Sequence, residues 1–371
     1  MTSSLLGGLS AQAFLRDYWH KRPLLIRNAV PGFAGLMSAA AIRRLAGRED
    51  VESRLVQGRG RDWQLDHGPF RPRDFKALPE TAWTLLLQSL NHHLPAADAL
   101  LSRFDFIPHA RLDDVMVSVA APGGSVGPHV DSYDVFLLQG SGHRRWDIST
   151  QSDLALIDGA PLKILRRFKA EASWVLAPGD MLYLPPQVAH HGVAEDACTT
   201  YSIGFRAPSA NELAQGFLMH LQDTIDLPGR YADPDLRRPA HPGEISRAML
   251  TRIEAMIARI RWNRRDIAEF AGCYLSDPKP SVFFDAAPTP LSPAAFGREA
   301  RRRGVALDPK SRLLFAGKRF FINGEAFTPA DGETAALRQL ADRRRLDAPP
   351  AALHPRLADW YEAGWLILEP A

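Results

Sequence analysis

The chain has 371 residues, too many for one ordinary hydrophobic core, so two or three domains are expected. Hydrophobic residues make up 46% and charged residues 23%, an ordinary globular balance, and a formal net charge of +3 is too small to argue for nucleic-acid binding. Apolar runs stay short of the roughly 18–20 residues that cross a bilayer. Met1–Leu9 lacks a signal-peptide pattern, and the two cysteines, Cys198 and Cys273, form no metal motif or disulfide framework; a reducing cytoplasm is expected.

Ser10 is a plausible cap for a helix over 10–17, and Pro23 ends the following Tyr18–Arg22 stretch before the apolar strand Leu24-Leu25-Ile26. The spacing of Leu, Ala and Trp predicts helices over 38–47 and 80–102, with a strand at Val51–Leu55 between them. From Asp114 the texture changes. Short strands are expected at Val115–Ala121, Val130–Leu138, Arg144–Ile148, Ser173–Leu176, Asp180–Leu184 and Thr199–Phe205, punctuated by Pro122-Gly123-Gly124, Gly140-Ser141-Gly142 and Pro178-Gly179-Asp180. Many short strands at that spacing indicate a sandwich or barrel, of which the jelly roll is one kind. Amphipathic helices follow over 210–227 and 244–272, around a proline-rich loop at Pro228–Pro242. Asp277–Pro293 reads as a linker. Beyond it come a helix at Pro293–Arg303, strands Leu313–Ala316 and Arg319–Ile322, a hairpin turn at Asn323-Gly324, helices at Glu333–Arg344 and Pro355–Ala363, and a strand at Trp365–Leu368.

Within the strand region, His129 and Asp131 stand two apart. On an extended strand such a pair leaves the same face. A third donor is available about sixty residues later at His190 or His191, which are adjacent and point in different directions, so spacing alone does not choose between them. Two histidines and one carboxylate with open positions form the metal site of non-haem Fe(II) oxygenases. Burying His129 and Asp131 without partners would be costly, and a metal removes that cost; the plain alternative is a solvent-facing strand end. An oxygenase using 2-oxoglutarate also needs a cation for the cosubstrate's far carboxylate. Arg144 is one candidate, with Arg145 facing the other way on the same strand and Arg206 as its rival. Ser118 and Tyr133 are candidates for hydrogen bonds to the cosubstrate. The other histidines, His20, His67 and His92-His93 among them, lack partners at ligand spacing. The runs Arg301–Arg303 and Arg343–Arg345 read as solvated helix ends rather than as a nucleic-acid contact.

Six stretches together carry a family resemblance: Tyr18-Trp19-His20-Lys21-Arg22-Pro23, Ser125–Asp131, Tyr133-Asp134-Val135-Phe136, Gly142–Trp146, Pro178–Pro186 and Tyr201–Pro208. In order and spacing they resemble the JmjC/cupin-type ribosomal oxygenases, and among these the bacterial branch that hydroxylates an arginine of large-subunit ribosomal protein L-sixteen. The resemblance implies an α+β chain: a JmjC-like double-stranded β-helix (jelly roll, cupin) over 1–208, a helical dimerisation region over 209–276 and a winged-helix-like domain over 277–371. It implies Fe(II) held by His129, Asp131 and His190, with Arg144 and Ser118 on positions that contact 2-oxoglutarate and no catalytic side chain beyond the metal site. A cytoplasmic homodimer acting on a ribosomal protein follows from the same resemblance. One departure is His191, where the bacterial relative carries an acidic residue. Three other readings are a histidine hydroxylase of another ribosomal protein, a metal-dependent cupin that does not use 2-oxoglutarate, and a ribosome-binding adaptor with a degenerate jelly roll.

Overall fold

Ser10 does cap the first helix, α1 (Ala11–Asp17), its hydroxyl accepting the Ala13 N–H. After Pro23 the chain enters β1 (Leu24–Ile26), and Ser38 caps α2 (Ala39–Leu45) in the same way. These elements belong to the first of two units, Met1–Ala207 and Pro208–Ala371, in the computed structural model, which describes residues 5–59, 62–287 and 291–369.

The first unit continues with β2 (Ser53–Arg59), β3 (Asp62–His67), α3 (Pro72–Lys76), β4 (Trp83–Leu87), α4 (Pro95–Leu101) and β5 (Leu112–Ala120). Then come β6 (Val135–Gln139), β7 (Arg144–Ser149), β8 (Ala172–Leu176), β9 (Met181–Leu184), β10 (Ala189–Ala194) and β11 (Cys198–Phe205). They form an eight-stranded sheet in the order β1-β9-β6-β11-β5-β4-β2-β3 and a three-stranded sheet in the order β10-β7-β8, with antiparallel pairing throughout. Strands far apart in sequence stand side by side, as β11 does between β6 and β5, which is the mark of a jelly roll.

Alternation along each strand sorts side chains between two layers. On β6, Phe136 and Leu138 join a core that includes Phe14, Ile42, Leu100 and Phe104 from the helices, while Val135 and Leu137 join a second cluster with Trp146, Ile148 and Leu176 of the smaller sheet. Each fully buried side chain of this size contributes about 1.5–3 kcal/mol. The larger sheet is therefore covered on both faces at β4 and β6, which are buried at every position.

That burial explains one correction. The expected helix over 80–102 is instead strand β4, a short 3-10 turn and α4. Leu85 and Leu87 pack in the helical core, whereas Thr84 and Leu86 face the interior of the roll. A strand buried on both sides shows no alternation, and short apolar runs of this kind mimic a buried helix. The strand begun at Val51 runs instead from Ser53 to Arg59, and its hairpin partner β3 was not anticipated. Nor was β10. The strand expected from Val130 starts only at Val135, leaving 130–134 as a loop.

The Tyr18–Pro23 stretch also acquires a role. Asp134, fully buried at the end of that loop, accepts a 2.6 Å hydrogen bond from the Tyr183 hydroxyl and lies 2.9 Å from His20 Nε2 and 3.6 Å from Arg111. Tyr183 Oη in turn accepts the His20 N–H at 2.9 Å. The loop that follows the metal-type motif is thus braced against β9 and the N-terminal segment. His20, read from spacing as a residue without a ligand partner, is part of that brace.

The second unit opens with α5 (Ala210–Thr224), closed at its start by a Ser209/Glu212 capping box. The helix expected over 244–272 is two, α6 (Arg247–Ile257) and α7 (Arg264–Ser276), because Asn263 and Asp266 form a new capping box and restart the helix. Part of the Asp277–Pro293 stretch, residues 288–290, lies outside the described residues. There follow α8 (Pro293–Arg303), β12 (Val305–Leu307), β13 (Leu313–Ala316), β14 (Arg319–Ile322), β15 (Glu325–Phe327), α9 (Thr334–Arg343), β16 (Arg345–Leu346), α10 (His354–Glu362) and β17 (Leu366–Leu368). The β14–β15 turn is Asn323-Gly324, both at positive φ, as a two-residue hairpin requires. Phe296, Phe320, Leu337, Leu340 and Leu357 form the buried centre of this helix-and-hairpin unit.

Candidate metal centre

His129 and His190 reach the interior of the jelly roll from a loop and a strand that hydrogen-bond to each other. The His129 N–H donates to His190 O at 3.0 Å and the His190 N–H to His129 O at 2.9 Å, an isolated antiparallel bridge. Gly127, at φ +82°, makes the turn that delivers His129; a Cβ there would sit 3.0 Å from Ile164. The chain then bends, and the Asp131 carbonyl accepts the Gln187 N–H at 2.8 Å. His129 and Asp131 therefore share a site because a loop is tied to its neighbour, not because they alternate on a regular strand.

The two imidazoles are held alike. His129 Nδ1–H donates to Gly127 O and His190 Nδ1–H donates to Val188 O, each at 3.0 Å. That fixes each ring's orientation and turns both Nε2 atoms toward Asp131. His129 Nε2 lies 4.0 Å from Asp131 Oδ1, and His190 Nε2 lies 3.6 Å from Asp131 Oδ2. The three ligand atoms fall within 4.8 Å of one another, and the donor set suits a divalent metal such as Fe(II). Burial, followed by the neighbouring His129, pushes the His190 imidazole down to about 4, so it is neutral and able to ligate at physiological pH. His191 points the other way on β10, against Phe168 and opposite Asp147 of β7.

These groups open into a cavity of about 580 Å³ between the two sheets. Ser118, Met116 and Asp114 line it from alternate positions of β5, Thr200 and Ser202 from β11, and Arg144 and Trp146 from β7. Arg144 is 5% exposed. Its Nη1 donates to Ser118 Oγ at 3.2 Å and its Nη2 to Gly124 O at 3.3 Å, while Nε is buried with no partner. Among the described residues no carboxylate lies within ion-pair distance of this guanidinium. Burial accordingly lowers its pKa, the sign of a cation that lacks its anion. Tyr133 also lines the cavity, and burial, then Asp131 and Asp114, push its phenol up, so it remains a neutral donor. Arg145 pairs outward with Asp147 and Glu195. Arg206 pairs with Asp113 and is not among the cavity residues.

Sequence reasoning overlooked Asp113, Asp114, Gln88, Thr200 and Trp146. The parity of Ser118 would have found Met116 and Asp114, two and four positions earlier on the same strand. Trp146 matters through Gly192, its cross-strand partner: a Cβ at Gly192 would lie 2.6 Å from the Trp146 ring. Gly192→Ala is expected to displace that ring from beside His190 and Arg144 and to destabilise the fold by about 1–3 kcal/mol, read from urea unfolding.

A jelly roll that gathers two histidines and one carboxylate beside a buried, anion-seeking arginine defines a non-haem oxygenase of the JmjC type. The JmjC domain family matches residues 99–213, and the ROXA-like winged helix family matches 259–366. The chain is 35% identical to the ribosomal protein uL16 3-hydroxylase of Escherichia coli K12, over 84% of each protein. It is also similar to YcfD, a ribosomal oxygenase from Escherichia coli, solved in complex with cobalt and 2-oxoglutarate, at a TM-score of 0.82 and 31% identity over 98% of this chain and 99% of that one. The same protein in complex with cobalt and succinic acid gives a TM-score of 0.81 at 31% identity, again over 98% and 99% of the two chains. This chain belongs to the JmjC ribosomal oxygenase family.

Proposed function

We propose that this protein is an Fe(II)- and 2-oxoglutarate-dependent hydroxylase of an arginine side chain in ribosomal protein uL16. His129, Asp131 and His190 are the residues that would hold the metal, and Arg144, with Ser118 and Tyr133, would contact the cosubstrate. When bound, iron and 2-oxoglutarate supply the oxygen-activating chemistry. The chain's part is to bind, orient and exclude water. The observation that carries this reading is the buried Arg144 guanidinium in the same cavity as the three donors: its Nε has no partner and, among the described residues, no carboxylate balances its charge, so a dicarboxylate is the ligand that resolves it. Asp113 and Asp114 line that cavity too, and Ser89 holds Asp114 Oδ2 through its N–H at 2.9 Å and its hydroxyl at 3.0 Å. A fixed carboxylate there suits an incoming guanidinium better than an imidazole.

The helices of the second unit support a homodimer. Leu218, Met219, Leu250, Ile257 and Trp262 are each more than half exposed, an apolar surface of the kind that subunit interfaces cover. Among the described residues no helix is long and apolar enough to cross a membrane. A ribosomal substrate supports a cytoplasmic location. In this reading the catalytic domain spans 1–208, the dimerisation region 209–276 and the winged-helix-like domain 277–371.

The test is mass spectrometry of ribosomal-protein peptides incubated with the iron-loaded protein, with and without 2-oxoglutarate. The expected result is one added oxygen on one arginine of the uL16 peptide, only with 2-oxoglutarate. Oxygen on a histidine of another peptide would overturn the target. No product and no succinate would overturn the reaction.

A further inference from the structure

Strand β3 ends the eight-stranded sheet, and β2 is its only hydrogen-bonded neighbour among the described strands. The Gly68 N–H donates to Ser53 O at 2.9 Å. In antiparallel pairing the hydrogen-bonded positions alternate, so Asp66 and Gln64 also bond to β2, and the main-chain groups of Leu65 and His67 point to the outer edge. The side chains of these same two residues line the metal cavity. Farther along β3, Asp62 and Gln64 line a second cleft of about 480 Å³ whose opposite bank is Ile157–Pro161. Pro161 borders both the cavity and the cleft. The outer edge of β3 at Leu65 and His67 therefore adjoins the metal cavity, and the strand continues into an outer groove.

We propose that the stretch of the protein substrate flanking the hydroxylated residue docks as an added β-strand along the outer edge of β3. The inference rests on the protein-hydroxylase reading. An unpaired edge is a template for an extended chain, which gains main-chain hydrogen bonds from it and specificity from alternate side chains. Continuity with the cavity selects the substrate as occupant: the reacting side chain enters the roll while its neighbours remain on the edge. β3 itself carries Asp62, Asp66 and His67 and no lysine or arginine. Across the cleft Asp158 is 96% exposed, with Arg166 3.2 Å away as its ion pair, and Arg54 and Lys163 join Arg144 in lining the cavity. The outer groove thus favours a basic segment.

The test uses the full-length iron-loaded protein and a uL16 peptide carrying one N-methylated flanking amide at a time. Removing a peptide N–H that bonds to β3 should raise KM about fivefold or more, at every second position on one side of the arginine, with kcat little changed. Amide exchange at Leu65 and His67 should slow when unmodified peptide is added, while Asp66, already bonded to β2, stays as it was. Hydroxylation of the unmodified peptide with no period-two pattern and no protection of β3 would overturn the docking mode alone. Protection that rises with protein concentration in the absence of peptide would assign the edge to a second copy and overturn it as well. An unmodified peptide that is neither bound nor hydroxylated would overturn the substrate reading and this inference with it.

Discussion

Asp131→Ala is expected to lose iron and peptide hydroxylation together, with turnover down by about a thousandfold or more. Asp131 is the sole carboxylate of the donor set, and it faces both histidine Nε2 atoms at 3.6 and 4.0 Å. Without it the site offers two neutral imidazoles and no negative charge to balance a divalent cation. The fold should survive, since the side chain is 22% exposed and the loop is tied by main-chain bonds from His129, His190 and Gln187. Iron content and mass spectrometry of the peptide product measure the two losses, and circular dichroism reports the fold. A variant that keeps stoichiometric iron and full turnover would remove Asp131 from the site. His191→Ala is the matched control: it should keep its iron, because His191 faces Phe168 and not the cavity.

What could be read from the sequence was local, and what could not was long-range. The His129/Asp131 pair was legible because two residues fix its spacing, yet the regular strand invoked to explain it does not exist; the bridge to His190 does that work. The choice between His190 and His191 was undecidable from spacing because strand β10 was not anticipated, and its register with β7 is what turns His190 inward. Ser118 and Arg144 share the cavity, and their pairing follows from β5 and β7 standing on facing sheets. β3 escaped notice because, although Trp63 and Leu65 alternate with Asp62, Gln64 and Asp66, two apolar positions in a short, mostly polar run make a weak strand signal. The brace around Asp134 joins four residues from four separate stretches, which no local pattern predicts. In the second unit, where hairpin and helix signals are local, α8, β13 and β14 have the expected bounds.

Arg144→Ala should raise the 2-oxoglutarate KM about a hundredfold, because a buried charge pair that loses one partner typically forfeits about 2–5 kcal/mol. The same substitution should not weaken the ligand-free protein in proportion. There the guanidinium is buried with its Nε unpartnered and, among the described residues, no carboxylate within ion-pair distance, a state that costs stability, so deleting the charge offsets much of the cavity left behind. The two effects separate in a thermal melt. Wild-type protein should gain several degrees on adding 2-oxoglutarate with an inert divalent metal, whereas the variant should start near the wild-type Tm and gain almost nothing. Arg206→Ala, which removes a cation that pairs with Asp113 but does not itself line the cavity, should leave the 2-oxoglutarate requirement unchanged. An Arg144→Ala protein with an unaltered KM, or one that melts far below wild type yet retains the ligand-induced gain, would show that the buried guanidinium serves packing and not the cosubstrate.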